Sequence, residues 1–335
     1  MEISNYKTNR KFFSKVGLIM FIAGLILNII QVISILITDN IPAISSNQNL
    51  CFIIQMVPTY AIGYPIIFLL MSKLLPRQLT TEKKAMRPLH FLIAFLICYA
   101  FTYVSNYIGT IITTIIGMFK QSEVDNVILE ITGSIHPLVN LLIIVIAAPI
   151  MEELLFRKFL IDRISHYGEG IAIFISGLMF GLFHGNLAQF MYAFILGACF
   201  GFIYIKTRNI IYPIILHMIT NFLGSFVSTL LLDMSGYMEL MEVMSSSVEP
   251  EQEVLMAVLS EHAVGLTIFV LYAVLLIYFV IAGVVLFFVN KRKIRFTPGE
   301  ITIEKGSRFK TIILNVGMIL YCVFWIAMII LQLLM

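Results

Sequence analysis

Residues able to do chemistry are few in this chain, and the densest group is Ala148-Pro149-Ile150-Met151-Glu152-Glu153-Leu154-Leu155-Phe156-Arg157. Two adjacent carboxylates and an arginine follow an apolar run that begins Leu141-Leu142-Ile143-Ile144-Val145-Ile146. An ionisable group inside such a run is costly, and by default it marks a functional site. On a helix, Glu153 and Arg157 are i,i+4 partners in the favourable order, acid before base. Glu152 lies about 100° round the helix and has no such partner in the run. One acid is therefore tied up locally and the other is free to work as a base. The alternative at this point is an ion pair that only locks two helices together.

Two further polar stations interrupt apolar runs. His184 ends Phe180-Gly181-Leu182-Phe183-His184, and His217 with Asn221 lies in Leu216-His217-Met218-Ile219-Thr220-Asn221. His217 and Asn221 are i,i+4 and share a helix face. A single membrane histidine or asparagine is commonly an interhelical hydrogen-bonding group. Three stations on three neighbouring helices point instead to one shared site. The break Tyr167-Gly168-Glu169-Gly170 falls near the midpoint between Glu152 and His184. With helices on both sides, the two residues meet at one depth. His217 lies only about eight residues beyond the Lys206–Asn209 turn, and reaches that depth only if the 157–170 hairpin tip projects into the cytoplasm.

The elements that must carry these residues are membrane helices. The chain has 335 residues, 60% hydrophobic and 12% charged, against about 25% charged in soluble domains. A spanning helix needs roughly 20 mostly apolar residues. The runs 16–37, 51–75, 89–118, 136–156, 171–186, 188–205, 210–232, 264–289 and 311–334 meet or approach this. The expected fold is all-α, a polytopic transmembrane helix bundle of about nine spans, eight being possible. The catalytic helices lie in the middle of the chain. The whole chain, 1–335, reads as one membrane domain. Span 171–186 is the least certain, being short and carrying Gly177, Gly181 and Gly185.

Basic residues fall almost entirely in the segments that nine serial spans put on one side, from Lys7 and Arg10 at the start to Lys291–Lys310 near the end. By the positive-inside rule that side, and the N-terminus with it, is cytoplasmic. Residues 233–262 hold seven acids and no Lys or Arg, and read as an acidic extracytoplasmic loop. Within it, Met238 to Met244 suits a short amphipathic turn. The first run is long for a signal-peptide core and reads as an uncleaved helix. Cys51, Cys98, Cys199 and Cys322 are scattered, without CxxC or Cys/His spacing.

Glu152-Glu153-x-x-x-Arg157, Phe180-x-x-x-His184 and His217-x-x-x-Asn221, in that order, resemble the three-motif pattern of the CPBP intramembrane proteases. That family includes the type II CAAX prenyl endopeptidases and the bacteriocin-processing, Abi-like proteins. The resemblance covers roughly residues 136–232, read as the protease core, and departs from the family at Lys158, where glycine is common. It implies Glu152 as general base for the attacking water and His184 as the residue that positions that water. It implies His217 and Asn221 as the oxyanion-stabilising pair, with Glu153 and Arg157 supporting. Peptide hydrolysis needs such an activated water and such donors. No serine or cysteine nucleophile is implied: Ser176 lies two turns from His184, and Cys199 lacks a histidine partner.

Glu152, His184 and His217 could instead bind Zn²⁺ as three ligands with an open position. HExxH is absent, and a glutamate mechanism without cofactor is preferred. The expected function is an intramembrane endopeptidase in the lipid of a prokaryotic plasma membrane. Its substrate would be a peptide, such as a bacteriocin leader, or a membrane protein; prenylated CAAX substrates are not expected, nor is a nucleic-acid partner. A non-catalytic immunity or scaffold protein on the same fold is the alternative. A transporter would ordinarily show repeated halves, which are not seen.

Overall fold

The computed structural model describes residues 2–3, 6–74, 82–122, 124, 127–246 and 252–334. Arg77, Glu123, Asp125, Glu249 and Glu251, which entered the charge pattern, lie outside the described residues. Among those described, eight helices are long and apolar enough to cross a membrane. They are α1 (Tyr6–Asp39), α2 (Gln48–Ser72), α3 (Pro88–Lys120), α4 (Pro137–Tyr167), α6 (Leu187–Thr207), α7 (Ile211–Met234), α8 (Ala263–Lys293) and α9 (Val316–Leu334). The helix between α4 and α6, α5 (Glu169–Phe183), is shorter at 15 residues. This is the all-α polytopic bundle expected, with eight full-length spans and the doubtful fifth one short.

The short α5 follows from its two ends. Gly168 turns the chain with φ +114°, a conformation that suits a residue without Cβ. Glu169, just after the turn, forms an ion pair with Lys206 at the end of α6. From that end α5 rises about 22 Å at 1.5 Å per residue, short of a hydrocarbon layer of about 30 Å. The return into α6 is tight: Gly185 has φ +61°, and the Asn186 side chain accepts from the Gln189 N–H as a helix cap. α5 and α6 lie close because Gly177 and Gly181 face α6. A Cβ on either would come within 2.9 Å of Phe194 atoms.

Among the described residues, the two larger of three apolar cores hold the bundle. One joins α1, α2, the second half of α4, α5 and α9, around Phe13, Met20, Tyr64, Phe156, Phe180 and Tyr321. The other joins α3, α6, α7 and α8, around Phe95, Phe200 and Leu216. The site helices α4, α5, α6 and α7 lie where these cores adjoin.

The end of α4 corrects one expectation. The helix continues through 157–167 instead of ending near 156. Arg157, Arg163 and His166 are buried there, so the tip is packed and not a solvated basic link. Arg163 donates through Nε to the carbonyls of Met71 and Leu74, at 2.8 and 2.7 Å, and through Nη1 to Phe159. Tyr167 donates to Asn9 Oδ1 at 3.0 Å. Tyr204 of α6 donates to Asp162 at 2.8 Å. Asp162 is thus level with the end of α6, as is Glu169 on the far side of the turn, through Lys206. The acidic 233–262 segment also differs from a plain loop: Tyr237–Ser246 and Gln252–Glu261 are helical.

Candidate active site

The backbone of α4 is irregular on both sides of the Glu pair. Residues Leu141–Ala147 and Leu154–Ile161 are π-helical, with the α-helical Ala148–Glu153 between them. A third π stretch, Phe222–Val227, directly follows Asn221. Such wide turns often accompany functional sites. Pro149 gives a local reason. In the π register the Ile144 carbonyl looks for the N–H of residue 149, and proline has none. Asn221 supplies the missing donor, its Nδ2 reaching Ile144 O at 2.9 Å. In the second π stretch, Ser176 Oγ donates to Phe156 O at 3.0 Å. Ser176 is thereby occupied in joining α5 to α4.

Glu153 and Arg157 pair as expected, Oε2 to Nε at 2.9 Å, both wholly buried. The guanidinium sits against two aromatic faces, 4.6 Å from the Phe180 ring centre and 5.7 Å from that of Phe200, an arrangement that suits a desolvated cation. Glu153 has a second partner that the sequence did not reveal. His217 Nδ1 lies 2.9 Å from its Oε1. A carboxylate facing an arginine only accepts, so the proton on this contact belongs to Nδ1. The remaining nitrogen, Nε2, points to the other acid, 3.8 Å from Glu152 Oε2. One histidine from α7 therefore bridges the two glutamates of α4. Phe180 and Phe200 also flank its ring, at 5.8 and 5.4 Å.

This geometry alters the chemistry expected of His217. As a neutral ring with Nδ1 protonated, it presents a lone pair at Nε2 and accepts there. It can donate through Nε2 only as an imidazolium. In that state two cations, Arg157 and His217, balance two anions, Glu152 and Glu153. Asn221, also expected to be a donor, has committed one amide hydrogen to Ile144 and keeps a second.

His184, at the C-terminal end of α5, places Nδ1 2.8 Å from Phe180 O. A carbonyl oxygen cannot donate, so Nδ1 carries the hydrogen and a neutral ring accepts at Nε2. His184 lies within electrostatic reach of Glu152 and His217. Glu152 is the partly open member of the group, its side chain 17% exposed where Glu153 is at 0%. Sequence reading missed the phenols round it. Tyr60 and Tyr64 of α2 and Tyr192 of α6 lie near enough to feel the Glu152 charge. Tyrosine in an apolar span gives no signal of that kind. Among the described residues, no three His, Cys, Asp or Glu side chains form a group able to hold a metal ion.

An acid pair braced by a buried arginine, with histidines from two other helices, makes a polar centre inside the helix bundle. Residues 134–223 match the family model of the type II CAAX prenyl endopeptidases, Rce1-like. The chain therefore carries a region of that family, within the CPBP group that its three motifs resemble, and all six candidate residues fall inside it. Two curated proteins are similar to it. One, from Bacillus subtilis (strain 168), is named "Putative membrane peptidase YdiL"; it is 32% identical over 111 residues, 31% of this chain and 43% of the relative. The other is CAAX prenyl protease 2 of Homo sapiens, 30% identical over 100 residues, 24% of this chain and 30% of the relative. The match thus spans less than half the length of either relative. No solved structure matches the chain significantly.

Proposed function

We propose that this protein is an intramembrane endopeptidase that hydrolyses a peptide bond of a membrane-associated peptide or protein with a water activated by Glu152. The observation that carries this reading is the polar group itself. Glu152 stays partly open, while Glu153 and Arg157 are sealed behind it and His217 joins the two acids. A purely structural ion pair has no use for the second, open carboxylate.

In this reading water lies between Glu152 and the Nε2 lone pair of His184. Glu152 takes its proton as the water oxygen bonds to the peptide carbonyl carbon. The oxyanion that forms is met by Nε2–H of the His217 imidazolium and by the free amide hydrogen of Asn221. Glu153 holds His217 in orientation and Arg157 holds Glu153. The C–N bond then breaks, and the proton on Glu152 passes to the leaving amine. Donors aimed in advance at a developing oxyanion are worth roughly 10²–10³ in turnover each. Peptide binding beside the open face of Glu152 fits the site better than a prenyl-specific role, for which these residues give no reason.

Comparison of membrane peptides from cells carrying wild type and Glu152→Ala tests the activity. A peptide that accumulates only in the variant is the expected substrate. With that peptide in hand, purified protein should keep its turnover after passage through a strong chelator, and Glu152→Gln should abolish it. Normal turnover in Glu152→Gln would remove Glu152 as the base. Loss on chelation, restored by zinc, would replace the glutamate mechanism.

A further inference from the structure

The link between α8 and α9 holds a groove that hydrolysis does not use. After the apolar α8, residues 291–310 carry seven Lys and Arg (Lys291, Arg292, Lys293, Arg295, Lys305, Arg308, Lys310) against two acids, Glu300 and Glu304. A basic run next to a membrane helix is attracted to anionic lipid headgroups. Here the run is fixed and not a loose tether. Gly168 bridges to Pro298, Glu169 N–H donates to Thr297 O at 3.1 Å, and Thr297 N–H donates to Glu169 Oε2 at 2.8 Å. Gly299 lies so close that a Cβ there would come within 2.3 Å of the Gly168 nitrogen. The strap is thus clamped to the start of α5.

Between strap and helix is a cavity of about 540 Å³, with walls mostly of Ile and Phe side chains. Phe174, Phe296 and Phe309 on these walls are 49%, 55% and 62% exposed. Arg308 is the one basic residue lining it. Its Nε is spent on Ile303 O at 3.2 Å, leaving the two terminal nitrogens for a phosphate. Among the described residues no carboxylate pairs with Lys305, Arg308 or Lys310. An apolar slot between the strap and α5, with one arginine at its rim and Lys305 and Lys310 near it in sequence, matches one kind of molecule.

We propose that this groove seats one anionic phospholipid, an acyl chain lying along Phe174 and Phe296 and the phosphate on Arg308. The chain already stands in a bilayer, so such lipid is the partner at hand. The two halves of the site can be removed separately. Lys305→Glu, Arg308→Glu and Lys310→Glu together reverse the charge of the arginine at the rim and of its exposed neighbours in sequence. Gly170→Leu fills the slot, since a Cβ at Gly170 meets nothing nearer than Phe296 Cγ at 4.0 Å.

The test is native mass spectrometry of the full chain released from nanodiscs of equimolar phosphatidylglycerol and phosphatidylcholine. The wild type should retain phosphatidylglycerol in preference by roughly fivefold or more. Both variants, with thermal unfolding like the wild type, should lose that preference. Equal retention of the two lipids by the wild type would overturn the proposal. So would a preference that the rim reversal abolishes and Gly170→Leu leaves intact, because charge alone would then hold the lipid without the groove.

Discussion

Glu152 and Glu153 are neighbours in sequence, yet their surroundings separate them completely. Glu153 is sealed between Arg157 and His217, while Glu152 faces the open side. The i,i+4 spacing made the Arg157 partner legible, since that contact is local. The His217 partner was not legible, because it depends on how α7 docks on α4. This division of roles has a measurable consequence in stability. Removing one member of a buried pair leaves the other charge uncompensated and costs about 3–5 kcal/mol. Glu153→Gln should therefore lower thermal unfolding in detergent by an amount of that order. Glu152→Gln, which leaves Glu153 in contact with both Arg157 and His217, should unfold close to the wild type. Equal destabilisation by the two changes would show that both carboxylates brace Arg157.

At the scale of elements, the hairpin α4–α5 was largely readable and its interior was not. Gly168 stands midway between Glu152 and His184, so the turn and the pairing of depths follow from counting. The π turns do not follow from any periodicity. They arise where Pro149 withholds a donor and where side chains such as Asn221 and Ser176 enter the helix from outside. The shortness of α5 was visible as doubt about one span, and its glycines mark the reason. Gly181 lets α5 settle onto Phe190 and Phe194 of α6, three residues before His184. Gly181→Ala would put a Cβ 2.9 Å from Phe194 Cβ and 3.0 Å from Phe190 O. Such overpacking typically costs about 1–3 kcal/mol. The helices must part, and displacement of a site group by about 1 Å can cost roughly 10²-fold in rate. Turnover should fall far more in Gly181→Ala than in Gly224→Ala, where a Cβ meets nothing within 4 Å. Similar turnover in the two would mean that α5 tolerates the shift without moving His184.

At the scale of the whole molecule, composition alone made a membrane bundle legible, and charge placement predicts its sense in the bilayer. The structure removes Arg157 and Arg163 from the loop inventory, because both are buried within α4. The rest of the pattern survives that removal. The clearest basic segments, the start of α1 and the 291–310 link, lie on the same side as the α4–α5 tip. Tyr167 of the tip bonds to Asn9, Gly168 bridges to Pro298, and Arg10 donates to Leu314 O at 3.0 Å. The helices of the acidic segment follow α7, whose other end adjoins the 206–209 turn, and so belong to the opposite face. By the positive-inside rule we expect the strap, the hairpin tip and the groove inside and the acidic helices outside. Met238 is 75% exposed and Lys83 lies in an exposed link. In a cysteine-free background, a membrane-impermeant maleimide added to intact cells should label Met238→Cys at once, and Lys83→Cys only after permeabilisation. The reverse pattern would invert the protein in the membrane. Labelling of both would mean that α7 does not carry the chain away from the face of the 206–209 turn, where Lys84 N–H donates to Thr207 O at 2.8 Å.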